Sequence, residues 1–189
     1  MTSTSRTYFE DMYKGDPDPW GFASRGYERR KYDLTIASLP LAHYGSVYEP
    51  GCSIGVLTEK LAHRCDRLLG SDIIPAALRQ AATRTKQLPH VRVEYRPIPE
   101  AWPEGQFDLI VLSEIAYYFS PNELEQITSL VLKSTVTGAH VVGVHWRGQT
   151  DYPLSGDQAH AIIEATLGLR RMVHHVEPEF VLTVWERSE

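Results

Sequence analysis

A chain of 189 residues, 42% hydrophobic and 23% charged, has the size and composition of one globular domain able to bury a sizeable core. The net charge of −5 argues against a nucleic-acid surface, which needs a concentrated basic face, and the densest basic run, Arg25 to Lys31, is short. Cys52 and Cys65 are the only cysteines, so no disulfide framework is expected; no stretch approaches ~20 apolar residues and no signal-peptide core precedes the first helix, so we expect a cytoplasmic protein with no membrane contact.

Residues from about Thr7 to Lys14 read as a short helix stopped by Gly15. Asp16-Pro17-Asp18-Pro19-Trp20-Gly21 follows, a turn-rich knot whose two prolines exclude regular structure. Trp20 and Phe22 in this loop either pack on the domain or wall a pocket. A second helix, roughly Arg25 to Leu39, carries Tyr27, Arg30, Lys31 and Tyr32. The stretch from Val47 to Thr58 then runs from apolar residues to Glu49, Gly51 and Gly55 and into a helical pattern, the order of strand, tight turn and helix. Ile54, Leu57, Leu61 and Cys65 recur at spacings of three and four, which predicts one apolar helical stripe packed on a sheet. Gly51 and Gly55 remove Cβ atoms where the backbone turns sharply and a ligand approaches. The helix N-terminus there points unpaired N–H groups toward the strand's carboxyl end, where ligands bind in open α/β sheets.

A second strand, Leu68 to Asp72, leads through Ile73-Ile74 into a helix opened by Pro75. Asp72 ends that strand about twenty residues beyond the glycines, where an acidic group accepts hydrogen bonds from ribose hydroxyls. Val91 to Arg96 alternates as a third strand, and Pro97-Ile98-Pro99 ends it. Phe107 to Ser113 is a continuous apolar run, as expected of a central parallel strand covered on both faces. Glu114, Tyr117 and Tyr118 continue it at the carboxyl end, where reacting groups gather. Ser120-Pro121-Asn122-Glu123 has capping-box form and opens a helix that buries Leu124, Ile127 and Val131. A fifth strand, Ala139 to Val144, ends in His145-Trp146-Arg147, and Gly148 to Leu154, with Asp151 and Tyr152, forms a candidate lid. Ser155 caps a helix ending at Gly168, and Arg170 to Val176 and Phe180 to Arg187 close the chain as an antiparallel hairpin with a two-residue corner. The predicted order is two helices, β-α repeated five times, and a terminal hairpin. It implies an α/β fold with a doubly wound, mostly parallel sheet and an antiparallel last strand.

The glycine turn distinguishes two ligand classes. Dinucleotide enzymes seat a pyrophosphate on G-x-G-x-x-G. Here the glycines are four apart, and the Glu49 carboxylate just before them repels a pyrophosphate but suits an ammonium or sulfonium cation. Glu49-Pro50-Gly51-Cys52-Ser53-Ile54-Gly55 resembles the first motif of class I S-adenosylmethionine (SAM) methyltransferases, whose Rossmann-like sheet also ends in an antiparallel strand.

Tyr8-Phe9, Asp16-Pro17-Asp18-Pro19-Trp20, Tyr27-Glu28-Arg29-Arg30-Lys31-Tyr32, the glycine turn, Trp102-Pro103, Ser113-Glu114 with Tyr117-Tyr118, and His145-Trp146-Arg147 together resemble the nodulation-protein-S-like methyltransferases, from about Tyr8 to Arg187. The rhizobial member of that family methylates the free amine of a deacetylated chitooligosaccharide. The resemblance implies SAM as cofactor, an amine on a small molecule or oligosaccharide as acceptor, and no metal. Residues 1–45 would form a helical cap and residues 46–189 the methyltransferase domain, within one compact whole. It implies a methionine end held by Glu49, Gly51, Cys52, Ser53 and Gly55, a ribose held by Asp72 and an adenine edge by Ile98, with Ile73 and Ser113 as further cofactor contacts. Related methyltransferases often place an acid near the end of the third strand; Arg96 and Pro97 stand there instead, so adenine contact falls to Ile98 or to backbone. Trp20 with Arg30 or Lys31 would close over the cofactor. Glu114 and His145 are the candidates for amine binding and proton removal, with Tyr117, Tyr118 and Trp146 as substrate walls. The alternatives are O-methylation of a small metabolite, a SAM-binding regulatory protein without chemistry, and a nicotinamide oxidoreductase. The residues do not specify an assembly state; a homodimer is one form to test.

Overall fold

Short local rules start the chain in the computed structural model, which describes residues 2–188. Ser5 accepts the Tyr8 N–H and so caps α1 (Arg6–Gly15), an Arg6–Glu10 pair braces it, and Lys14 sits in its last turn. The proline-rich knot that follows is tied by carboxylates. Asp16 accepts the Asp18 N–H at 2.8 Å, and Asp18 accepts those of Phe22 and Ala23 at 2.8 and 2.9 Å. Side chains thus replace the backbone partners that two prolines deny this segment. Next comes α2 (Gly26–Ala37).

Chain packing divides the protein into two compact units, Ser5–Arg96, and Pro97–Glu189 with Met1–Thr4. The first holds α1, α2, β1 (Tyr44–Pro50), α3 (Val56–Ala62), β2 (Cys65–Asp72), α4 (Pro75–Thr85) and β3 (Val91–Tyr95). Within it β1 pairs with β2, and β2 with β3, all parallel, so the carboxyl ends Pro50, Asp72 and Tyr95 lie at one edge. The expected four-point helical stripe is divided between elements: α3 ends at Ala62, and Cys65 opens β2 opposite Tyr44. Ile54, Leu57, Leu61 and Cys65 are all buried, so their spacing reports one core shared by a turn, a two-turn helix and a strand.

The second unit holds β4 (Phe107–Ser113), a single 3-10 turn (Ala116–Tyr118), α5 (Pro121–Ser134), β5 (Thr135–Trp146), α6 (Gly156–Leu167), β6 (Arg170–Val176) and β7 (Phe180–Glu186). β4 and β5 are parallel; β7 runs antiparallel to both β5 and β6. Leu109, Ile110, Val111 and Leu112 are sealed from solvent, the burial that a continuous apolar strand requires. Ser155 and Gln158 form a full capping box on α6. At α5 the box is completed differently: Ser120 caps the Glu123 N–H, but the Ser120 N–H donates to Ser3 Oγ at 2.7 Å, and Ser3 and Ser120 hydroxyls both bond the Glu123 carboxylate. Those two hydroxyl bonds lower the Glu123 pKa.

Two expectations need correction. No helix follows β3; the chain turns at Pro97–Ala101, where Ala101 N–H donates to Pro97 O, and reaches β4 without a fifth β-α repeat. The β6–β7 corner has three residues, Glu177 to Glu179, closed by Glu177 N–H on Phe180 O at 2.9 Å. The seven strands run β3-β2-β1-β4-β5-β7-β6, the mostly parallel sheet with an antiparallel end that the chain order implied. No helix is long and apolar enough to cross a membrane among the described residues.

Candidate functional site

Within Ser5–Arg96 the predicted cofactor residues converge on the turn after β1. Gly51, Ser53 and Gly55 all take left-handed backbone angles, with φ of 72°, 50° and 79°. A Cβ on Gly55 would lie 2.9 Å from the Cα of Ala81, so space and conformation both exclude a side chain there. Ser53 adopts the same region at a cost of order 1 kcal/mol, the kind of strain that collects at ligand sites. Asp72 holds the turn in place. It accepts the Ser53 N–H at 2.9 Å on Oδ2, and those of Ile73 and Ile74 at 2.7 and 2.9 Å on Oδ1. Burial raises its pKa, and the three N–H bonds oppose that rise. Cys52 lies beneath, its thiol pKa pushed up by burial, and packs where a Gly70 side chain would otherwise stand.

Glu49, near the end of β1, is buried with one carboxyl oxygen unmet. It is 3% exposed, and no group of the described chain reaches its Oε2 in hydrogen-bonding geometry. Burial pushes its pKa up to about 8, opposed by the Thr58 hydroxyl and reinforced by the Asp72 charge. An uncompensated buried carboxylate is costly unless a cation or donor arrives. A dinucleotide pyrophosphate would only aggravate the charge.

Above this turn lies an aromatic cover that includes a residue not anticipated from the sequence. The Tyr13 hydroxyl shares a 2.5 Å hydrogen bond with Ser53 Oγ. Trp20 stacks on Phe22 at 5.5 Å and meets Tyr13 edge-on at 5.6 Å. Phe9, Tyr13 and Phe22 pack against the Ile54, Ile74 and Ala77 cluster, and Gln80 donates to Pro17 O at 2.7 Å. The two cations assigned to the cover part ways. Arg30 is on the exposed face of α2, whereas Lys31 is 2% exposed, ion-paired to Glu28 at 3.0 Å and set over the Tyr27 ring.

Within the second unit, Ser113 ends β4 and Glu114 follows with φ 54°. Glu114 Oε2 accepts the Tyr117 hydroxyl at 2.5 Å and the Trp146 N–H at 3.0 Å. Tyr117 lies parallel to Tyr152 at 5.3 Å, and Tyr118 meets both rings edge-on at 4.7 Å. Burial raises the Tyr117 pKa first and the Glu114 charge second, so its hydroxyl keeps its proton as a donor. Tyr152, from the loop expected to act as a lid, thus joins Tyr117 and Tyr118 in one aromatic cluster, and Leu154 N–H on Tyr117 O docks that loop. His145 is fully buried with both ring nitrogens engaged: Ala116 N–H donates to Nε2 at 3.0 Å, and His160 Nε2 lies 2.9 Å from Nδ1. Trp146 is 37% exposed. Ile98 sits in the turn after Pro97, preceding a cis proline. No cluster of His, Cys, Asp and Glu able to hold a metal occurs among the described residues.

A strand order of 3-2-1-4-5-7-6 over such a glycine turn is the fold of class I SAM-dependent methyltransferases. Residues 10–136 match the family described as nodulation protein S (NodS), and the chain belongs to that family. Nodulation protein S of Rhizobium tropici is 30% identical over 127 residues, 66% of this chain and 53% of that protein. The chain spans about half the length of the curated relatives it matches. The N-methyltransferase NodS of Bradyrhizobium japonicum WM9, solved with S-adenosylhomocysteine (SAH), superposes with a TM-score of 0.83 at 25% identity, covering 97% of this chain and 98% of that one. A Pseudomonas syringae protein described provisionally as a methyltransferase is 39% identical, with a TM-score of 0.78, covering 86% of this chain and all of the other.

Proposed function

We propose that this protein is a SAM-dependent N-methyltransferase acting on an amine of a small molecule or amino sugar, with a chitooligosaccharide-like acceptor as the first to try. The buried Glu49 Oε2 without a protein partner carries the reading, because a cationic cofactor is what such an oxygen accommodates. SAM, when bound, supplies a methyl group on a sulfonium. Glu49 and the Gly51–Gly55 turn hold its amino-acid end, with Cys52 shaping the floor and Ser53 and Tyr13 offering hydroxyls. Asp72 orders the turn through Ser53 N–H and takes the ribose; Ile98 serves the adenine, and Ile73 and Ser113 are further cofactor contacts. Trp20 closes over the cofactor, and Arg30, on the exposed face of α2, is the cation we assign to its carboxylate.

An amine attacks only as the neutral base, so its proton must be taken up. Glu114 is the group we assign to that role. Tyr117 and Trp146 N–H fix Oε2 and thereby orient the carboxyl group. Tyr118 and Tyr152 offer aromatic faces that suit either a cation or the apolar face of a sugar ring. Orientation of the reacting groups supplies most of the acceleration, and well-placed reactants recover ~7–11 kcal/mol.

The test is calorimetric titration with SAH, with NADH as the control, followed by methyl transfer to chitosan oligomers and to a catechol. We expect binding of SAH alone and methylation of the amine alone. Binding of NADH sinks the cofactor assignment, and methylation confined to the catechol sinks the amine.

A further inference from the structure

A line of hydrogen bonds through five elements of the second unit plays no part in that chemistry. Ala116 N–H donates to His145 Nε2 at 3.0 Å. His145 Nδ1 and His160 Nε2 are 2.9 Å apart, His160 Nδ1 and Thr183 Oγ1 3.1 Å, and Thr183 Oγ1 and His174 Nδ1 3.0 Å. A backbone amide can only donate, so His145 Nε2 carries no proton. A neutral imidazole then holds its proton on Nδ1, which makes His160 Nε2 the acceptor. The His160 proton accordingly sits on Nδ1 and points to the Thr183 hydroxyl, which also meets His174 Nδ1. One fixed donor thus sets two tautomers in succession.

The surroundings keep this line intact. His145, His160 and Thr183 are buried, and burial together with the neighbouring imidazoles lowers the His160 pKa well below the ordinary range, so it stays neutral. Two glycines leave the room. A Cβ on Gly143 would fall 3.2 Å from His160 Cε1 and 3.0 Å from the Trp185 ring. A Cβ on Gly156 would fall 2.3 Å from Trp146 O and 3.2 Å from His145 Cβ.

What the line holds is the turn from Glu114 to Tyr118. Ala116 opens the 3-10 turn, and the preceding Ile115 offers no side-chain cap for its N–H. Three successive residues of β5 grip that turn: Val144 O accepts the Glu114 N–H at 2.8 Å, His145 Nε2 the Ala116 N–H, and Trp146 N–H donates to Glu114 Oε2. Glu114 itself is strained at φ 54° and needs such support.

We propose that His145 and His160 are positioning residues, a tautomer-locked pair that caps Ala116 N–H and so holds Glu114, Tyr117 and Tyr118 in the geometry the acceptor meets. The functional half of this statement rests on the acceptor-side reading above; the tautomers do not. His145 on this account takes no proton from the acceptor, because its Nε2 lone pair is already engaged.

Long-range proton–nitrogen correlation on the 15N-labelled full chain near neutral pH reads the tautomers directly. We expect Nδ1–H, neutral, at both His145 and His160; an Nε2–H tautomer or an imidazolium at His145 overturns the proposal. His145→Gln and His145→Leu separate positioning from proton transfer, because a glutamine Oε1 can accept the Ala116 N–H where Nε2 did. With His145→Gln we expect amide-exchange protection of Ala116 and kcat on a chitosan oligomer within about threefold of the parent; with His145→Leu both fall by about tenfold or more, at unchanged SAH affinity. Equal loss of kcat in both variants with Ala116 still protected would make His145 a proton acceptor and end the proposal. Should no amine be methylated, the tautomers and the exchange rates still decide, and the failure belongs to the functional reading.

Discussion

In the proposed site, Glu49 would tie ligand binding to a proton. Its folded-state pKa of about 8 exceeds the ordinary carboxyl value, so between those two values the free folded chain holds a proton that the unfolded chain has lost. The stability this contributes is full below the ordinary carboxyl pKa and is lost as pH rises through about 8. Glu49→Gln should therefore be more stable than the parent above pH 8, by roughly 5 kcal/mol, with the gap closing toward acid, as urea unfolding across pH will show. A gap that is constant with pH would mean that Glu49 is ionised throughout. Asp72 makes the opposite case. Its carboxylate serves three backbone N–H groups, and Asp72→Ala leaves the Ser53, Ile73 and Ile74 amides without their acceptor. We expect a loss of about 2–4 kcal/mol in stability together with weaker SAH binding, measured by denaturation and calorimetry on the same variant. Weaker binding at full stability would place Asp72 on the ligand alone.

Helix starts show how strongly local chemistry and close packing can disagree. Gly156 opens α6, where alanine would ordinarily stabilise by ~0.5–1 kcal/mol through the unfolded chain. Its missing Cβ would stand 2.3 Å from Trp146 O, a contact with backbone that no rotamer relieves. Sterics win, and Gly156→Ala should cost about 2–3 kcal/mol of stability in urea, whereas Ser155→Ala, which removes the cap, should cost ~1. The reverse ranking would show that the end of β5 yields easily. This distinction also marks what a sequence can disclose about elements. Ser155, Pro75 and Ser120 announce their helices because a cap needs only its own neighbours. Ser3, which completes the α5 cap from 120 residues away, announces nothing. The run Ile54-Leu57-Leu61-Cys65 read as one helical stripe and is not, for the same reason: spacing reports burial, and burial there is shared between a helix and a strand.

Across the whole molecule, the groups around the glycine turn were legible because Glu49, Ser53 and Asp72 lie within 25 residues and differ chemically from a core. Tyr13 and His160 were not, and Tyr152 was legible only as part of a candidate lid, without its aromatic partners. Each acts on a partner 15 to 40 residues away, and aromatic residues in a loop or on a helix read equally as packing. The α/β order was readable from alternating strand and helix patterns, except where Pro97 to Gln106 crosses between strands without a helix. The stability of the full chain offers a test that joins these scales. SAH at a hundredfold its Kd should stabilise by ~2.7 kcal/mol, which for a chain of 189 residues raises Tm by roughly 5–11 °C, and NADH should not. Comparing each pH with and without ligand cancels every titration that SAH does not touch. If the ligand's ammonium keeps Glu49 ionised, binding must expel the proton held below about pH 8. At one fixed SAH concentration the shift should then grow from pH 6 to pH 8, with apparent affinity rising by up to about tenfold per unit, and it should flatten in Glu49→Gln. A shift in the parent chain that ignores pH would place the cation elsewhere than at Glu49.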